Sequence, residues 1–352
     1  MNSSHGGDIY QYNNITDFSS NINPFGTPDF VMQAVKNSLD AISYYPDITN
    51  TKLREAIAKK EGVSCEDIIC GNGASELIYT VVNCIKPKRA ILSIPCFSEY
   101  LQVLENNDVE ILFHNNLLLK NGKIEGGNIN ESLLDIMDES IDLLFICNPN
   151  NPTGATATAS LLKKVIQKAV LNDIFIVIDE SFLDFCEAYD ELTVMHIANE
   201  REMKNIFIIR SFTKMYGLAG VRIGYGISFN NQLLQKVRKI LPPWNISCIA
   251  QSAGISCCMD TEYSEKTRNN IKTEAEYITG KFDEMGISYI MPMANYVFFK
   301  SRPDLKDRLL EKGILIRDCA DYKGLEKGFF RIAIKTHGEN ERLIQELRNI
   351  LG

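Results

Sequence analysis

Short apolar runs alternate with helical patterns through the first two thirds of the chain, and this alternation constrains the fold more than any other feature. The clearest runs predict six strands, at 89–95, 109–114, 142–149, 173–180, 205–212 and 221–227. Their nearly continuous apolar character is typical of a mostly parallel sheet that helices cover on both faces. Between two of these runs, SLLKKVIQKAVL at 160–171 places its apolar residues on one helical stripe. The sequence therefore predicts an α/β fold.

The pattern changes after the two prolines at 242 and 243. A polar helical region at about 245–285 is followed by apolar runs at 295–300, 313–319 and 328–335, and then by a helical pattern to the end of the chain. These elements predict a smaller α+β domain. At 352 residues the chain exceeds the usual size of one core, so we expect a large domain at 41–244 and a small domain formed by 1–40 and 245–352.

Charge and composition exclude several classes of partner. The net charge of −8 argues against nucleic acid or an anionic membrane as the main partner, although a local arginine cluster could still hold a small anionic substrate. We find no signal peptide pattern and no apolar run near the roughly 20 residues that span a bilayer. Ten scattered cysteines without a CxxC pair, together with four histidines, predict a cytoplasmic protein without a metal site.

Polar residues follow three of the predicted strands directly. The run FICNP leads to Asn151, the run IFIVID ends in Asp179 and Glu180, and FIIRSFTK brings Ser211–Lys214. Ligands of open α/β sheets collect at this carboxyl edge. An Asn/Pro/Gly cluster alone is typical of a turn, but two adjacent carboxylates at a buried strand end need a cation or hydrogen-bond donors.

Carboxylate, amide, hydroxyl and a single lysine are together the groups that hold pyridoxal 5′-phosphate (PLP). Its aldehyde forms a Schiff base with a lysine, and its pyridinium nitrogen pairs with an acid. Lys214 is the candidate amine, Asp179 the candidate acid, and Arg222 a candidate phosphate ligand. The segment ICGNGASELIYTVV at 69–82 predicts a strand, a glycine turn and a helix start that suits an anion. Tyr100 is either a ring that stacks on the cofactor or a core aromatic.

Three motifs in this order resemble the fold-type I PLP enzymes, the aspartate aminotransferase superfamily: CNPNNPTGA, IDESFLDF and SFTKMYGLAGVRIGYG. Within it, the chain resembles the histidinol-phosphate aminotransferase branch, and most closely the threonine-phosphate decarboxylases of cobalamin biosynthesis. The stretches that carry this second resemblance are SSHGGDIY, DFSSNINPFGTP, PPWNIS and the C-terminal tail. The resemblance runs from His5 to Leu351, and it implies a mostly parallel seven-stranded sheet in the large domain.

The resemblance implies a role for each matching residue. Lys214 would carry the cofactor, Asp179 would pair with the pyridinium, and Asn151 would contact the 3′-oxygen. The remaining cofactor contacts are Tyr100 against the ring and, around the phosphate, Ala74, Ser75, Ser211, Thr213 and Arg222. Tyr45 matches the tyrosine that reaches the cofactor phosphate of the neighbouring subunit, which implies a homodimer.

The substrate residues are carried by the same resemblance. Arg331 matches the carboxylate-binding arginine and Arg317 a second arginine, whereas His5 and Asn23 belong to segments that close over the substrate. Both arginines lie in apolar runs, where an unpaired charge is costly. Phe182 stands where the aminotransferases commonly have tyrosine, and the decarboxylases are similar in having phenylalanine there.

These implications predict decarboxylation of a small phosphorylated amino acid, L-threonine O-3-phosphate, to (R)-1-amino-2-propanol O-phosphate and CO₂. One alternative is a histidinol-phosphate aminotransferase that uses 2-oxoglutarate. A second alternative is a binding or regulatory protein without catalysis, but a chain that had lost its chemistry would have no need of Lys214.

Overall fold

The computed structural model describes residues 5–352. The strands, in chain order, are β1 (Thr16–Asp17), β2 (Ile68–Gly71), β3 (Arg89–Ile94), β4 (Glu110–Asn115), β5 (Leu117–Lys120), β6 (Lys123–Gly127), β7 (Leu143–Cys147), β8 (Phe175–Asp179), β9 (Ile206–Ser211), β10 (Gly224–Ile227), β11 (Ser288–Tyr289), β12 (Tyr296–Lys300), β13 (Ile314–Leu315), β14 (Arg317–Asp318) and β15 (Phe329–Ala333). The α-helices are α1 (Asp29–Asn37), α2 (Thr51–Glu61), α3 (Ala74–Ile85), α4 (Ser98–Glu105), α5 (Ser132–Asp135), α6 (Ala159–Leu171), α7 (Tyr189–Leu192), α8 (Val194–Ile197), α9 (Phe212–Met215), α10 (Asn231–Ile240), α11 (Cys248–Cys257), α12 (Tyr263–Glu284), α13 (Leu305–Glu311) and α14 (His337–Leu351).

The larger sheet has seven strands in the order β2-β10-β9-β8-β7-β3-β4. Adjacent strands of this sheet pair in parallel, except that β10 is antiparallel to both β2 and β9. All six predicted strands are present, each shorter at one or both ends than its apolar run or, for β4, shifted by one residue. This confirms the predicted α/β fold and the seven-stranded, mostly parallel sheet.

Two separate apolar cores explain why the central strands read as continuous apolar runs. In β7 and β8, Leu144 and Ile178 face one core, whereas Phe145 and Val177 face the other. Successive side chains of a strand point to opposite faces of the sheet, so a strand that is covered on both faces must be apolar at every position. The core on the side of Phe145 is built with α3, α4 and α10, and α6 lies on the side of Leu144.

The second sheet is antiparallel and has the order β11-β12-β15-β14. The predicted apolar run at 313–319 forms two short strands because its two halves have different partners. Its first half, β13, pairs in parallel with β1, and its second half, β14, pairs with β15. The predicted division at residues 40/41 and 244/245 stays a prediction.

Two further local details differ from expectation. The helical region at 245–285 is two helices, because the carboxylate of Asp260 accepts hydrogen bonds from the first N–H groups of α12, including that of Tyr263 at 2.8 Å. The sequence analysis also missed the hairpin β5–β6. The sequence carries its signal in the dipeptide Asn121-Gly122, and in the structure both residues have positive φ, as two-residue hairpin turns require. Between residues 5 and 352, no helix has the length and apolar character of a membrane span.

Candidate active site

A cavity of about 320 Å³ lies at the carboxyl ends of β8 and β9, against the start of α3 and the strand β15. The parallel strands place their last residues along one edge, as the sequence analysis expected. Of the residues predicted from the sequence, those that line the cavity are His5, Ala74, Ser75, Tyr100, Asn151, Asp179, Ser211, Thr213, Lys214, Arg222 and Arg331.

Three predicted residues lie elsewhere. Tyr45 is 80% exposed and stacks on Trp244, with the ring centroids 4.5 Å apart. Asn23 is buried behind the cavity, where its amide donates to the carbonyl of Met215 at 2.7 Å. Arg317 lines a smaller cavity of about 80 Å³ and donates to both carboxylate oxygens of Asp321 at 2.8 Å. Their predicted roles stay predictions.

Asp179, the last residue of β8, is held by two donors. The hydroxyl of Tyr100 donates to Oδ2 at 2.6 Å, and the backbone N–H of Ser181 donates to Oδ1 at 2.8 Å. Burial raises the pKa of Asp179 above its ordinary value, while these hydrogen bonds and the charge of Lys214 act in the opposite direction. A buried carboxylate that faces a cavity is stabilised by any cation that binds there.

Lys214 lies in α9, the short helix that directly follows β9. Burial lowers the pKa of Lys214 to about 8, and the positive charges of Arg331 and Arg222 act in the same direction. At pH 7 about a tenth of its amine is therefore unprotonated, and this fraction is the nucleophilic form of the lysine. The same cavity thus contains an activated amine and a buried carboxylate.

The end of the cavity beside α3 suits an anion. The helix begins at Ala74 without a side-chain cap, so its first N–H groups are available to a ligand. Gly73 precedes it with φ +81°, and a Cβ there would lie 2.5 Å from Nη2 of Arg222. Ser211 and Thr213 add two hydroxyls, whose oxygens are 2.7 Å apart. Backbone donors, hydroxyls and a guanidinium converge here.

Tyr100 lines the cavity but is almost fully buried, and its stacking on the cofactor stays a prediction. Its ring is 1% exposed and stacks on Phe145 at 4.9 Å, and its hydroxyl bonds Asp179. Phe97 is less buried, lines the cavity and meets Tyr100 edge-on. Phe97 was not predicted as a cavity residue, although it lies in the same CFSEY segment as Tyr100.

Arg331, from the middle of β15, also lines the cavity. Its guanidinium donates to the carbonyl of Ser19 at 2.8 Å and to Oδ1 of Asn151. His5 lies at the mouth, with Nε2 3.3 Å from a carboxylate oxygen of Glu99. Two arginines, Arg222 and Arg331, therefore line the cavity.

Glu180, the neighbour of Asp179, does not line the cavity. It lies on the other side of β8, where it accepts from Arg210 at 2.7 Å, and Arg210 also pairs with Glu61 at 2.7 Å. Of the two adjacent carboxylates, Asp179 therefore lines the cavity and Glu180 belongs to a buried ion pair. Sequence reasoning also missed several cavity residues, which are Ser19, Ser20, Asn21, Glu99, Ser181 and Tyr322. Within 5–352, no group of three or more His, Cys, Asp or Glu side chains is arranged to hold a metal ion.

Residues 13–347 match the family model described as aminotransferase class I and II. The chain belongs to this family. It is 32% identical to the threonine-phosphate decarboxylase of Salmonella typhimurium, over 100% of this chain and 97% of that protein. The crystal structure of the histidinol-phosphate aminotransferase from Clostridium acetobutylicum is 30% identical and superimposes with a TM-score of 0.85, covering 95% of this chain and 98% of that one.

A histidinol-phosphate aminotransferase from Sinorhizobium meliloti, solved in complex with pyridoxal-5′-phosphate, has a TM-score of 0.82 over 94% of this chain and 89% of its own. At 22% identity this likeness shows the fold alone. Family membership confirms the predicted resemblance and the aspartate aminotransferase-like fold, and the two relatives above represent the two branches that the sequence analysis named.

Proposed function

We propose that this chain is a PLP-dependent decarboxylase that converts L-threonine O-3-phosphate to (R)-1-amino-2-propanol O-phosphate and CO₂, a reaction of cobalamin biosynthesis. The likeness to the Salmonella enzyme over the whole chain supports it. The observation that carries it is the cavity, which brings Lys214 and Asp179 together with an anion site at the start of α3 and with Arg331.

The residues of the cavity fit PLP. Lys214 offers an amine with a lowered pKa, and Asp179 offers a buried carboxylate that a pyridinium would stabilise. The start of α3, with Arg222 and the hydroxyls of Ser211 and Thr213, offers the donors that a phosphate needs. When bound, PLP supplies an electron sink for the pair that bond cleavage leaves at the substrate Cα.

The substrate carries a carboxylate and a phosphate, and two arginines support its binding in this proposal. Arg331 is aimed into the cavity by its bonds to Ser19 and Asn151. Arg317 lies next to it, in the smaller cavity that shares His5, Gly6 and Ser19 with the main one. Fixing both ends of the amino acid selects which bond at Cα is oriented for cleavage, and this contribution of positioning can be large.

The reaction balances without an oxidant. The bond between Cα and the carboxylate carbon breaks, CO₂ leaves, and a proton takes its place on Cα. Lys214 is the side chain placed to supply that proton, since its pKa of about 8 lies near the working pH of a general acid or base. Phe182 lines the cavity with an apolar ring and offers no proton there.

The decisive experiment is incubation of the pure, PLP-loaded protein with threonine phosphate in the absence of any keto acid. We expect stoichiometric CO₂ and aminopropanol phosphate. Turnover that depends on 2-oxoglutarate, with glutamate formed, would instead establish the histidinol-phosphate aminotransferase. If neither occurs while the wild type, unlike Lys214→Ala, takes up PLP and turns yellow, the protein binds the cofactor without either activity.

A further inference from the structure

Asp17 lies outside the cavity, yet its carboxylate organises one wall of it. It is the last residue of β1, and its Oδ1 accepts from the backbone N–H and the hydroxyl of Ser19 at 2.8 and 2.6 Å. Its Oδ2 accepts from the hydroxyl of Ser20. Both serines line the cavity, so the carboxylate fixes their positions from behind.

Ser19 in turn holds two groups at the substrate end of the cavity, which is the part that His5 and Arg331 line. Its hydroxyl oxygen accepts from the backbone N–H of Gly7 at 2.8 Å, which anchors the strap His5–Gly7 at the mouth of the cavity. Its carbonyl accepts from Nη2 of Arg331 at 2.8 Å. Because Ser19 is only 3% exposed, water does not replace these partners readily.

The strap His5–Gly7 packs closely on the segment Asp17–Ser20, and this leaves no space for a side chain at Gly6. A Cβ on Gly6 would lie 2.1 Å from the carbonyl oxygen of Ser19, the same atom that Arg331 contacts. Gly7 has φ +87°, a conformation that L side chains rarely adopt. The strap and the arginine therefore meet at one carbonyl group.

The backbone around Asp17 is fixed by hydrogen bonds to β13 and β15. The strand β1 pairs with β13, which precedes Arg317 by two residues. The next residue, Phe18, donates to Leu315 at 2.8 Å and accepts from the N–H of Ala333 at 2.8 Å, two residues beyond Arg331. The segment Asp17–Ser20 is thus held between β13, which precedes Arg317, and β15, which carries Arg331.

We propose that Asp17 is a positioning residue for substrate binding: through Ser19 it sets the direction of the Arg331 guanidinium and holds the strap His5–Gly7 over the cavity. This rests on the proposed function, in which the substrate end receives an anionic amino acid. Asp17 itself touches neither substrate nor cofactor.

A series of variants separates the two links. Asp17→Ala removes both. Ser19→Ala removes the hydroxyl that anchors the strap but keeps the carbonyl that Arg331 contacts. Asp17→Asn keeps an oxygen acceptor for Ser19 and an amide toward Ser20, so it tests for rescue. The matched control is Asp138→Ala, because Asp138 accepts from the N–H and hydroxyl of Ser140 in the same way, outside the cavity.

Kinetics with threonine phosphate read the effect on substrate. A hydrogen bond to a charged group corresponds to about a tenfold change or more, so we expect Asp17→Ala to raise KM by about tenfold with a much smaller change in kcat. Ser19→Ala should show a smaller rise in KM. Asp17→Asn and Asp138→Ala should stay close to wild type, and all four should keep the absorbance of the bound cofactor.

Amide hydrogen exchange of the peptide that contains Gly7 provides a readout without substrate. We expect faster exchange in Asp17→Ala and Ser19→Ala, and exchange at the wild-type rate in Asp17→Asn and Asp138→Ala. If wild type turns over threonine phosphate and KM is unchanged in Asp17→Ala, the positioning role is wrong while the proposed function stands. If wild type does not turn over threonine phosphate, the proposed function fails. The link from Asp17 to the strap remains testable in that case, because equal exchange of the Gly7 peptide in wild type and all variants would overturn it.

Discussion

Lys214 stands between the carboxylate of Asp179 and the guanidinium groups of Arg331 and Arg222, and its pKa of about 8 reflects burial first and then these two cations. A lysine with a lowered pKa loses its proton as the pH rises through that value. We therefore expect covalent capture of PLP by the cofactor-free protein to increase with pH around a midpoint near 8. Borohydride reduction followed by mass spectrometry of the Lys214 peptide measures the yield.

The charge of Arg331 provides the control for this titration. Because that charge lowers the pKa of Lys214, Arg331→Gln should move the midpoint to higher pH. The free energy of unfolding of the cofactor-free wild type should also rise between about pH 8 and 10.5, since the unfolded lysine binds more protons there than the folded one. A wild-type midpoint near 10.5 would contradict the assigned environment.

Tyr100 offers a second test at single-residue scale. Tyr100→Phe deletes the donor to Oδ2 of Asp179 and leaves the ring stacked on Phe145. Its hydrogen bond lowers the pKa of Asp179, so its loss raises that pKa further and weakens the carboxylate as a partner for a pyridinium. We expect the Kd for PLP to rise about tenfold, measured by absorbance titration.

A matched control for this variant is Tyr225→Phe. The hydroxyl of Tyr225 is also buried and donates to a carboxylate, that of Glu61, at 2.6 Å, but it does not line the cavity. It should lower thermal stability without changing the affinity for PLP. Equal PLP affinity in Tyr100→Phe and wild type would show that the hydroxyl of Tyr100 does not contribute to PLP binding.

At the scale of an element, the start of α3 depends on Gly73. Gly73→Ala places a Cβ against Arg222 and forces φ +81° on an L side chain, which costs on the order of 1–3 kcal/mol. We expect weaker PLP binding as well as lower stability, because Arg222 must move away from the anion site. Fluorescence titration with PLP and thermal denaturation measure the two effects.

Gly280, four residues before the last residue of α12, is the control for this substitution. Nothing lies within 4 Å of a Cβ built there. Gly280→Ala should leave PLP binding unchanged and stabilise the protein by about 0.5–1 kcal/mol, because alanine favours a helix interior. Unchanged PLP affinity in Gly73→Ala would exclude the start of α3 as the phosphate site.

The buried ion pairs behind β8 and β9 make a different prediction. Arg210 links Glu180 at the end of β8 to Glu61 of α2, and all three side chains are at most 5% exposed. Arg210→Met leaves two buried carboxylates without a cation, so we expect a loss of about 3–5 kcal/mol in the free energy of unfolding by urea. Lys164→Met, which removes an exposed pair with Glu131, should change it by at most about 1 kcal/mol.

These elements also show how far the sequence determines the site. Asp179, Ser211 and Lys214 were predictable because each lies at a strand end or within three residues after it, and the carboxyl edge of a parallel sheet gathers such residues. The position of Asn23 behind the cavity and the partnership of Glu180 with Arg210 were not predictable. They depend on contacts between residues more than 25 positions apart in sequence, which no local pattern encodes. Asp17 was missed for the same reason, since its importance comes from what Ser19 contacts.

At the scale of the whole molecule, an apolar surface remains exposed around Tyr45. Ile42 is 66% exposed, Tyr44 75% and Ile48 52%, and Tyr45 stacks on Trp244, which is itself 42% exposed. Contiguous apolar patches of this kind mark interfaces. We propose that a second copy of the chain covers this surface and receives Tyr45 at its own cavity, as the resemblance implied; light scattering should give the mass of a dimer.

Mixing two inactive variants tests whether the subunits share their sites. Lys214→Ala lacks the amine, and Tyr45→Ala lacks the side chain proposed to serve the neighbouring subunit. In a mixed dimer, the subunit with intact Lys214 receives the intact Tyr45 of the other subunit. One of the two sites of that dimer is therefore complete. Random reassociation after mild denaturation should therefore restore about a quarter of the wild-type sites.

Tyr45→Phe mixed with Lys214→Ala distinguishes the tyrosine hydroxyl from its ring. No gain over the separate variants would mean that each cavity is complete within one chain, and Tyr45 would then serve only its stack with Trp244.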